Sequence, residues 1–263
     1  MNLRGKSVLI TGATGGLGQA IARRLRAEGA ELILTGRRAE VLKGLADEIG
    51  GRVIAADLAD AADVERLARE TGDVDIVIAN AALPGGGVLE SYTTDEIDRA
   101  LDINLRAPIV LTRVFGEPML ARGSGHIVFI SSLSGKVAAP ASSLYSATKF
   151  GLRGFALGLR EDWNPRGVGV SSVNPGFIRD AGMFADGGAQ LPPGVGTRTP
   201  EDVAAAVVRA IRDNKAEIDV APPALKASTL FATIAPQTAA RVARRLGSDR
   251  IAHQMAEGQR HNR

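Results

Sequence analysis

The 263-residue chain contains no cysteine. Disulfide staples, a thiol nucleophile and thiolate metal sites are thereby excluded, and a fold made without disulfides is compatible with a reducing, cytoplasmic setting. Long apolar runs are missing too. No segment approaches the roughly 18 uninterrupted apolar residues that a membrane helix needs, and the opening MNLRGKSVLITGATGG has neither the apolar stretch nor the cleavage site of a secretory signal. Nor is there a large charge of one sign: 32 Lys and Arg stand against 29 Asp and Glu, a net +3. The pI near 9.5 therefore rests on a small excess, gathered around Arg241, Arg244, Arg245 and Arg250. Aromatic residues do not interleave these arginines. They read as the solvated face of a terminal helix or a dock for an acidic partner, not as a nucleic-acid stripe. The expectation is a protein without nucleic-acid or membrane partners. What is present, 45% hydrophobic and 23% charged residues, suits an ordinary globular chain with a substantial core.

Short β-branched runs alternate with longer helical patterns. The runs are Ser7–Thr11, Glu31–Thr35, Arg52–Ala56, Asp75–Ala79, His126–Ser131, Val168–Asn174 and Glu217–Ala221. Several are apolar at consecutive positions, as expected where helices cover both sheet faces. In the first helical pattern, Leu17, Ala20, Ile21 and Leu25 share one stripe, and Gly29 follows where a helix C-terminus favours glycine. Short links between such units imply right-handed crossovers and an α/β, doubly wound sheet of about seven mostly parallel strands. The segment Asp180–Thr199 breaks the pattern with Gly and Pro, and reads as a functional lid or a surface excursion. Thr199-Pro200-Glu201-Asp202 then starts a helix with a cap, proline at its first position and acids in its first turn. Residues 1–222 form the expected cofactor-binding and catalytic domain, and 223–263 a helical extension of it.

The first strand runs directly into Thr11-Gly12-Ala13-Thr14-Gly15-Gly16-Leu17-Gly18 and a helix. Glycines allow a sharp turn and close approach of backbone to a pyrophosphate, while the helix N-terminus supplies unpaired N–H groups and positive dipole. In this strand–turn–helix setting Gly12, Thr14, Gly15, Gly16, Leu17 and Gly18 are candidates for dinucleotide binding. The second strand ends in Gly36-Arg37-Arg38 without the acid that usually holds the ribose hydroxyls for NAD. Arg37 and Arg38 can instead clamp a 2′-phosphate, which favours NADP over NAD, unless they are merely solvated loop arginines. Asp57-Leu58, after the third strand, suits either an adenine amino group or a local turn. Asn80-Ala81-Ala82, after the fourth, allows close cofactor approach, or Asn80 simply ties strands together.

Tyr145 and Lys149 lie four apart, on one helix face. Alone that spacing says little. Ser132, thirteen residues upstream at the end of an apolar strand, can bring a hydroxyl beside the phenol, and Asn104 stands in a long helical stretch where asparagine is a poor helix former. An ordinary buried hydrogen bond is the plain alternative for Asn104.

Taken together, the TGATGGLG loop, Asp57, Asn80-Ala81-Ala82, Asn104, Ser132, Tyr145-x-x-x-Lys149 and Asn174-Pro175-Gly176 resemble the classical short-chain dehydrogenase/reductase family, in its order and spacings, over about residues 5–222. The resemblance implies a Rossmann-type domain with an Asn104, Ser132, Tyr145 and Lys149 tetrad. It implies a homodimer or homotetramer through helices near 94–122 and 144–164, and a nicotinamide site bordered by Pro175, Gly176 and Ile178. In that setting Tyr145 would exchange a proton with a carbonyl or alcohol substrate and Lys149 would favour the phenolate and contact the nicotinamide ribose. Ser132 would hydrogen-bond the substrate oxygen, and Asn104 would hold a relay water. Four positions depart from the family pattern. Asp180 stands where a threonine commonly meets the carboxamide, Ala79 and Ala82 replace an asparagine and a glycine, and Gly15 stands where NADP users often carry a basic residue. These leave cofactor orientation and preference open. The substrate pocket is expected near Leu133, Val137 and Phe184, with an apolar lining. Rival readings are an epimerase or dehydratase on the same fold, or a dinucleotide-binding sensor or scaffold with a vestigial site.

Overall fold

The computed structural model describes residues 1–188, 191, 195–245 and 247–259. Seven strands, β1 (Ser7–Ile10), β2 (Glu31–Gly36), β3 (Arg52–Ala55), β4 (Ile76–Ala79), β5 (Gly125–Ile130), β6 (Val168–Pro175) and β7 (Glu217–Val220), form one sheet in the order β3-β2-β1-β4-β5-β6-β7. Every pairing is parallel. Alternation along β1 shows why consecutive apolar residues are needed. Val8 and Ile10 enter one core, and Leu9 enters the other.

The first core also takes Ile21 and Leu25 from α1 (Gly16–Ala27), Leu42 and Leu45 from α2 (Ala39–Ile49), and Val203, Val207 and Ile211 from α8 (Pro200–Arg212). The second takes Val64 and Leu67 from α3 (Ala61–Thr71), Leu111, Phe115 and Met119 from α5 (Ala107–Ala121), and Leu152 and Ala156 from α6 (Ser143–Trp163). Each fully buried Leu, Ile or Phe contributes roughly 1.5–3 kcal/mol, so the two layers together hold the sheet from both sides. The capping signals work as read: the Thr199 hydroxyl accepts from the Asp202 N–H at 3.1 Å, and the Asp202 carboxylate accepts from the Thr199 N–H at 3.0 Å.

Chain direction reverses beside β1: β2 lies on one side of it and β4 on the other. This switch point opens a crevice at the carboxyl ends of the strands. There lie the turns after β1, β4, β5 and β6.

Helix α4 (Thr94–Leu101) does not run straight into α5. A π-helical turn, Asp102–Arg106, intervenes, and Asn104 is buried within it. The expectation of one long helix is corrected at this point. Such turns insert an extra residue and expose a backbone carbonyl.

Beyond β7 the chain forms α9 (Pro223–Ile234), α10 (Pro236–Arg245) and α11 (Ser248–Gln259). The segment 180–199 is anchored at both ends: Arg198 N–H donates to Phe177 O and Arg179 N–H to Arg198 O, each at 2.9 Å. Between these anchors a short helix, α7 (Met183–Gly187), packs against α11. The suggested lid partly falls on residues 189, 190 and 192–194, outside the described residues.

Candidate active site

The glycine turn is shaped by crowding. Gly12 has φ +65°, and a Cβ there would stand 2.7 Å from Ala81 Cα. A Cβ on Gly18 would strike the Gly12 carbonyl, and one on Gly16 would strike Ala181. Asn80 fastens the turn from the neighbouring strand. Its Nδ2 donates to Thr11 O (2.9 Å) and Gly12 O (3.1 Å), while Thr11 Oγ1 accepts from Asn80 N–H and Ala81 N–H, both at 3.0 Å. Asn80 thus joins the two strands that flank the crevice, as one of its two readings had it. No side chain caps Gly15 at the start of α1. The first-turn N–H groups, with no intrahelical partners, face a cradle without Cβ atoms, which fits a pyrophosphate.

Arg37 and Arg38 are both exposed at the end of β2. Arg38 Nη2 donates to Thr14 O at 2.7 Å, so it braces the glycine turn. Asp57 serves a turn of its own: its carboxylate accepts from Ala59 N–H at 3.1 Å and from Arg99 Nη2 at 2.9 Å. Burial raises the Asp57 pKa, but hydrogen bonds from Arg99 and Ala59 and the nearby Arg37 charge bring it below the ordinary carboxylate value. Arg99 is a site neighbour that the sequence reading missed; nothing in its local pattern points across to Asp57. Leu58 beside it is buried in the second core.

At the other end of the crevice, β5 delivers Ser131 and Ser132, and α6 delivers Tyr145 and Lys149 one turn apart. Ser132 Oγ accepts from Ser134 N–H at 3.0 Å and donates to Pro175 O at 3.4 Å, which links the serine loop to the Pro175-Gly176 turn. The Lys149 ammonium donates to Ile130 O at 3.0 Å and lies 5.5 Å from the centre of the Tyr145 ring. Burial pushes the Tyr145 phenol up to about 12, opposed by a hydrogen bond with Ser132. Burial likewise brings Lys149 down to about 8. Withdrawal from water thus favours the neutral form of both groups.

Asn104 approaches from the π turn. Its Oδ1 accepts from Leu83 N–H at 2.7 Å and its Nδ2 donates to Leu83 O at 3.0 Å, with Thr148 Oγ1 at 3.5 Å. The side chain is therefore occupied in a buried hydrogen-bond pair, and it fixes the loop after β4. Two residues further on, a Cβ at Gly85 would stand 2.6 Å from Tyr145 Cβ, so this loop lies directly against the phenol's helix. Gly85 carried no signal that the sequence reading recognised.

The border on the β6 side is apolar. Gly176 lies against Leu133, Leu225 and Ala221, Ile178 is buried, and the rings of Phe177 and Phe184 stand 5.1 Å apart. Val137 N–H donates to Leu133 O. Asp180 adopts φ +70°, and the following Ala181 and Gly182 press on Gly16 and Leu17. From above, Gln259 of α11 donates to Met183 O at 2.8 Å and packs on Gly86. Among the described residues, no group of three His, Asp or Glu is placed to hold a metal, and no helix is long and apolar enough to cross a membrane.

The model of the short chain dehydrogenase family matches residues 6–191. The chain is 36% identical over 227 residues to "Ketoacyl reductase HetN" of Nostoc sp. (strain PCC 7120 / SAG 25.82 / UTEX 2576), covering 83% of this chain and 79% of that protein. Among solved structures, a short-chain dehydrogenase from Sphingobium yanoikuyae in complex with NADPH superposes with TM-score 0.75 at 27% identity, covering 89% of this chain and 94% of that one. A 3-ketoacyl-(acyl-carrier-protein) reductase from Brucella melitensis complexed with NADH gives TM-score 0.73 at 25% identity, over 83% and 97%. This chain belongs to the short-chain dehydrogenase family of oxidoreductases.

Proposed function

We propose that the protein transfers hydride between NADP and a moderately apolar ketone or alcohol, with Ser132, Tyr145, Lys149 and Asn104 as its working groups. The observation that carries this reading is the meeting of Ser132, Tyr145 and Lys149 at the carboxyl ends of the strands, across the crevice from the glycine turn. Gly12, Thr14, Gly15, Gly16, Leu17 and Gly18 would receive the pyrophosphate, and Arg37 with Arg38 the 2′-phosphate. Asp57 with Leu58 would border the adenine. Asn80, Ala81, Tyr145, Lys149, Pro175, Gly176 and Ile178 would line the nicotinamide half. A bound nicotinamide supplies or accepts the hydride.

The protein's own part is to handle charge and protons at the substrate oxygen. Ser132 hydrogen-bonds that oxygen as negative charge gathers on it. The Tyr145 phenol would donate its proton there during reduction and take it back during oxidation. Lys149, brought down to about 8, is poised to return a proton to the tyrosine side. Asn104 serves that relay and, through Leu83, holds the Gly85 loop against Tyr145. The Leu133, Phe177 and Phe184 border supports an apolar substrate. The arginines support NADP, although relatives with either cofactor exist. A cytoplasmic homodimer or homotetramer through α5 and α6 fits the apolar groove lined by Ile109, Leu120, Phe155, Leu159 and Trp163.

The test is NADPH oxidation across a panel of ketones, ketoacyl thioesters and sugars. Tyr145→Phe should reduce turnover by about 10²–10⁴-fold while NADPH binding, followed by its fluorescence, is retained. Equal turnover by the variant on every substrate would remove Tyr145 from the mechanism, and NADPH binding by the parent without turnover of any substrate would leave a binding protein.

A further inference from the structure

The outer side of α9 and α10 is unlike the rest of the surface. Leu230, Phe231 and Ile234 are 63%, 46% and 76% exposed, and Val242 is 47% exposed. On α9, Thr229 and Ala232 are buried, and Lys226, Leu230, Phe231 and Ile234 lie at the helical spacings of the opposite side. Helix α10 has no buried residue, and Arg241, Val242, Arg244 and Arg245 on it are all exposed.

Charge singles out the same segment. Between Pro222 and Gly247 there are four cations, Lys226, Arg241, Arg244 and Arg245, and no acid. That exceeds the net +3 of the whole chain, so the remainder is net negative. Exposed large apolar side chains on α9, followed by the arginines of α10, match neither water alone nor an acidic peptide, which would leave Leu230, Phe231 and Ile234 uncovered. They match a surface with an anionic layer over an apolar interior.

We propose that the α9–α10 pair docks on an anionic lipid bilayer, with Leu230, Phe231 and Ile234 entering the interface and the arginines meeting the headgroup phosphates. That no helix among the described residues is long and apolar enough to cross a membrane concerns spanning, and docking of this kind needs no such helix. The position of the pair gives the docking a use. Leu225, in the first turn of α9, lies against Gly176, and Pro222 lies against Gly196, so the helix leaves directly from the border of the crevice. A docked molecule would therefore hold its cleft close to the lipid surface, where apolar ketones and alcohols concentrate. The docking itself does not depend on the catalytic reading.

Sedimentation of the purified full chain with vesicles tests the proposal. The vesicles are phosphatidylcholine alone, or an equal mixture of phosphatidylcholine and phosphatidylglycerol. Binding to the mixture and little to phosphatidylcholine is expected. Leu230→Ser/Phe231→Ser/Ile234→Ser should weaken it tenfold or more. Each arginine changed to glutamine at 241, 244 or 245 should weaken it about fivefold. Because these side chains are exposed, thermal unfolding of the variants should match the parent, and gel filtration should show the same mass. Three results overturn the proposal: no binding of the parent to the mixed vesicles at low salt; binding that survives both sets of substitutions; or a serine variant whose mass falls, which would make the patch a contact between copies of this chain.

Discussion

Lys149 should weaken the fold it serves. It is 2% exposed, and the only hydrogen bond of its ammonium among those described is to Ile130 O at 3.0 Å. Burial lowers it from 10.5 to about 8. Between pH 8 and 10.5 the unfolded chain binds a proton that the folded chain does not, so stability rises with pH across that window. The corresponding stability is present above 10.5 and lost as pH falls to 8. At 1.36 kcal/mol per pKa unit the penalty at neutral pH is about 3 kcal/mol. Lys149→Met removes the buried charge, keeps the side-chain length, and forfeits one charged hydrogen bond, itself worth about 1.5–3 kcal/mol. The variant should then be as stable as the parent at pH 7, or more stable by about 1 kcal/mol, while turnover collapses. Above pH 10 this relative advantage should disappear. Denaturant midpoints of both proteins at pH 7, 8.5 and 10 supply the comparison, and other titrating groups cancel in the difference. A variant less stable by more than about 2 kcal/mol at pH 7, or a difference that does not move between pH 8 and 10, would refute the assignment of a strained, buried cation.

Three further outcomes follow from the same geometry. Arg37→Ser should raise the NADPH concentration needed for half-saturation by about 10–100-fold, the loss of one charged hydrogen bond, and leave NADH unchanged; an equal effect on both cofactors would count against the 2′-phosphate role. Asn104→Ala leaves the buried Leu83 N–H and C=O without their partner, and denaturant unfolding should register a loss of about 2–4 kcal/mol. His126, 2% exposed and 2.8 Å from Ser171 Oγ, is lowered to about 3, chiefly by burial. Its stability is present above 6.5 and lost as pH falls toward 3. The advantage of the parent over His126→Gln should therefore shrink in acid, by an amount on the order of 4 kcal/mol; a constant difference from pH 7 to 4 would contradict it.

The sheet was legible because its strands are buried on both faces, so each one announces itself as an apolar run such as Val8-Leu9-Ile10 or Ile127-Val128-Phe129-Ile130. Their ends fall within one residue of the expected limits, set by the turn residues that follow. The glycine turn was equally plain, since backbone crowding at Gly12 and Gly18 demands glycine. The site was less legible wherever a residue acts through a distant partner. Arg99 reaches Asp57 from α4, far along the chain, and Gly85 meets Tyr145 only because the loop folds back. Asn104 was noticed as a poor helix former, but a π turn has no composition of its own and was read as continuous helix. The withdrawal from water that acts on Tyr145 and Lys149 could not be seen either, because a charged neighbour is visible in a sequence and the depth of burial is not.

The π turn at 102–106 has a consequence for any alteration of this region. With about 100° of rotation per helical residue, deleting one residue there would leave an unbroken α-helix and turn the far half by that angle. Asn104 and the apolar stripe of α5 cannot then both keep their faces. One side would have to abandon either Leu83 or the core, so this short stretch tolerates exchange of residue type far better than a change of length.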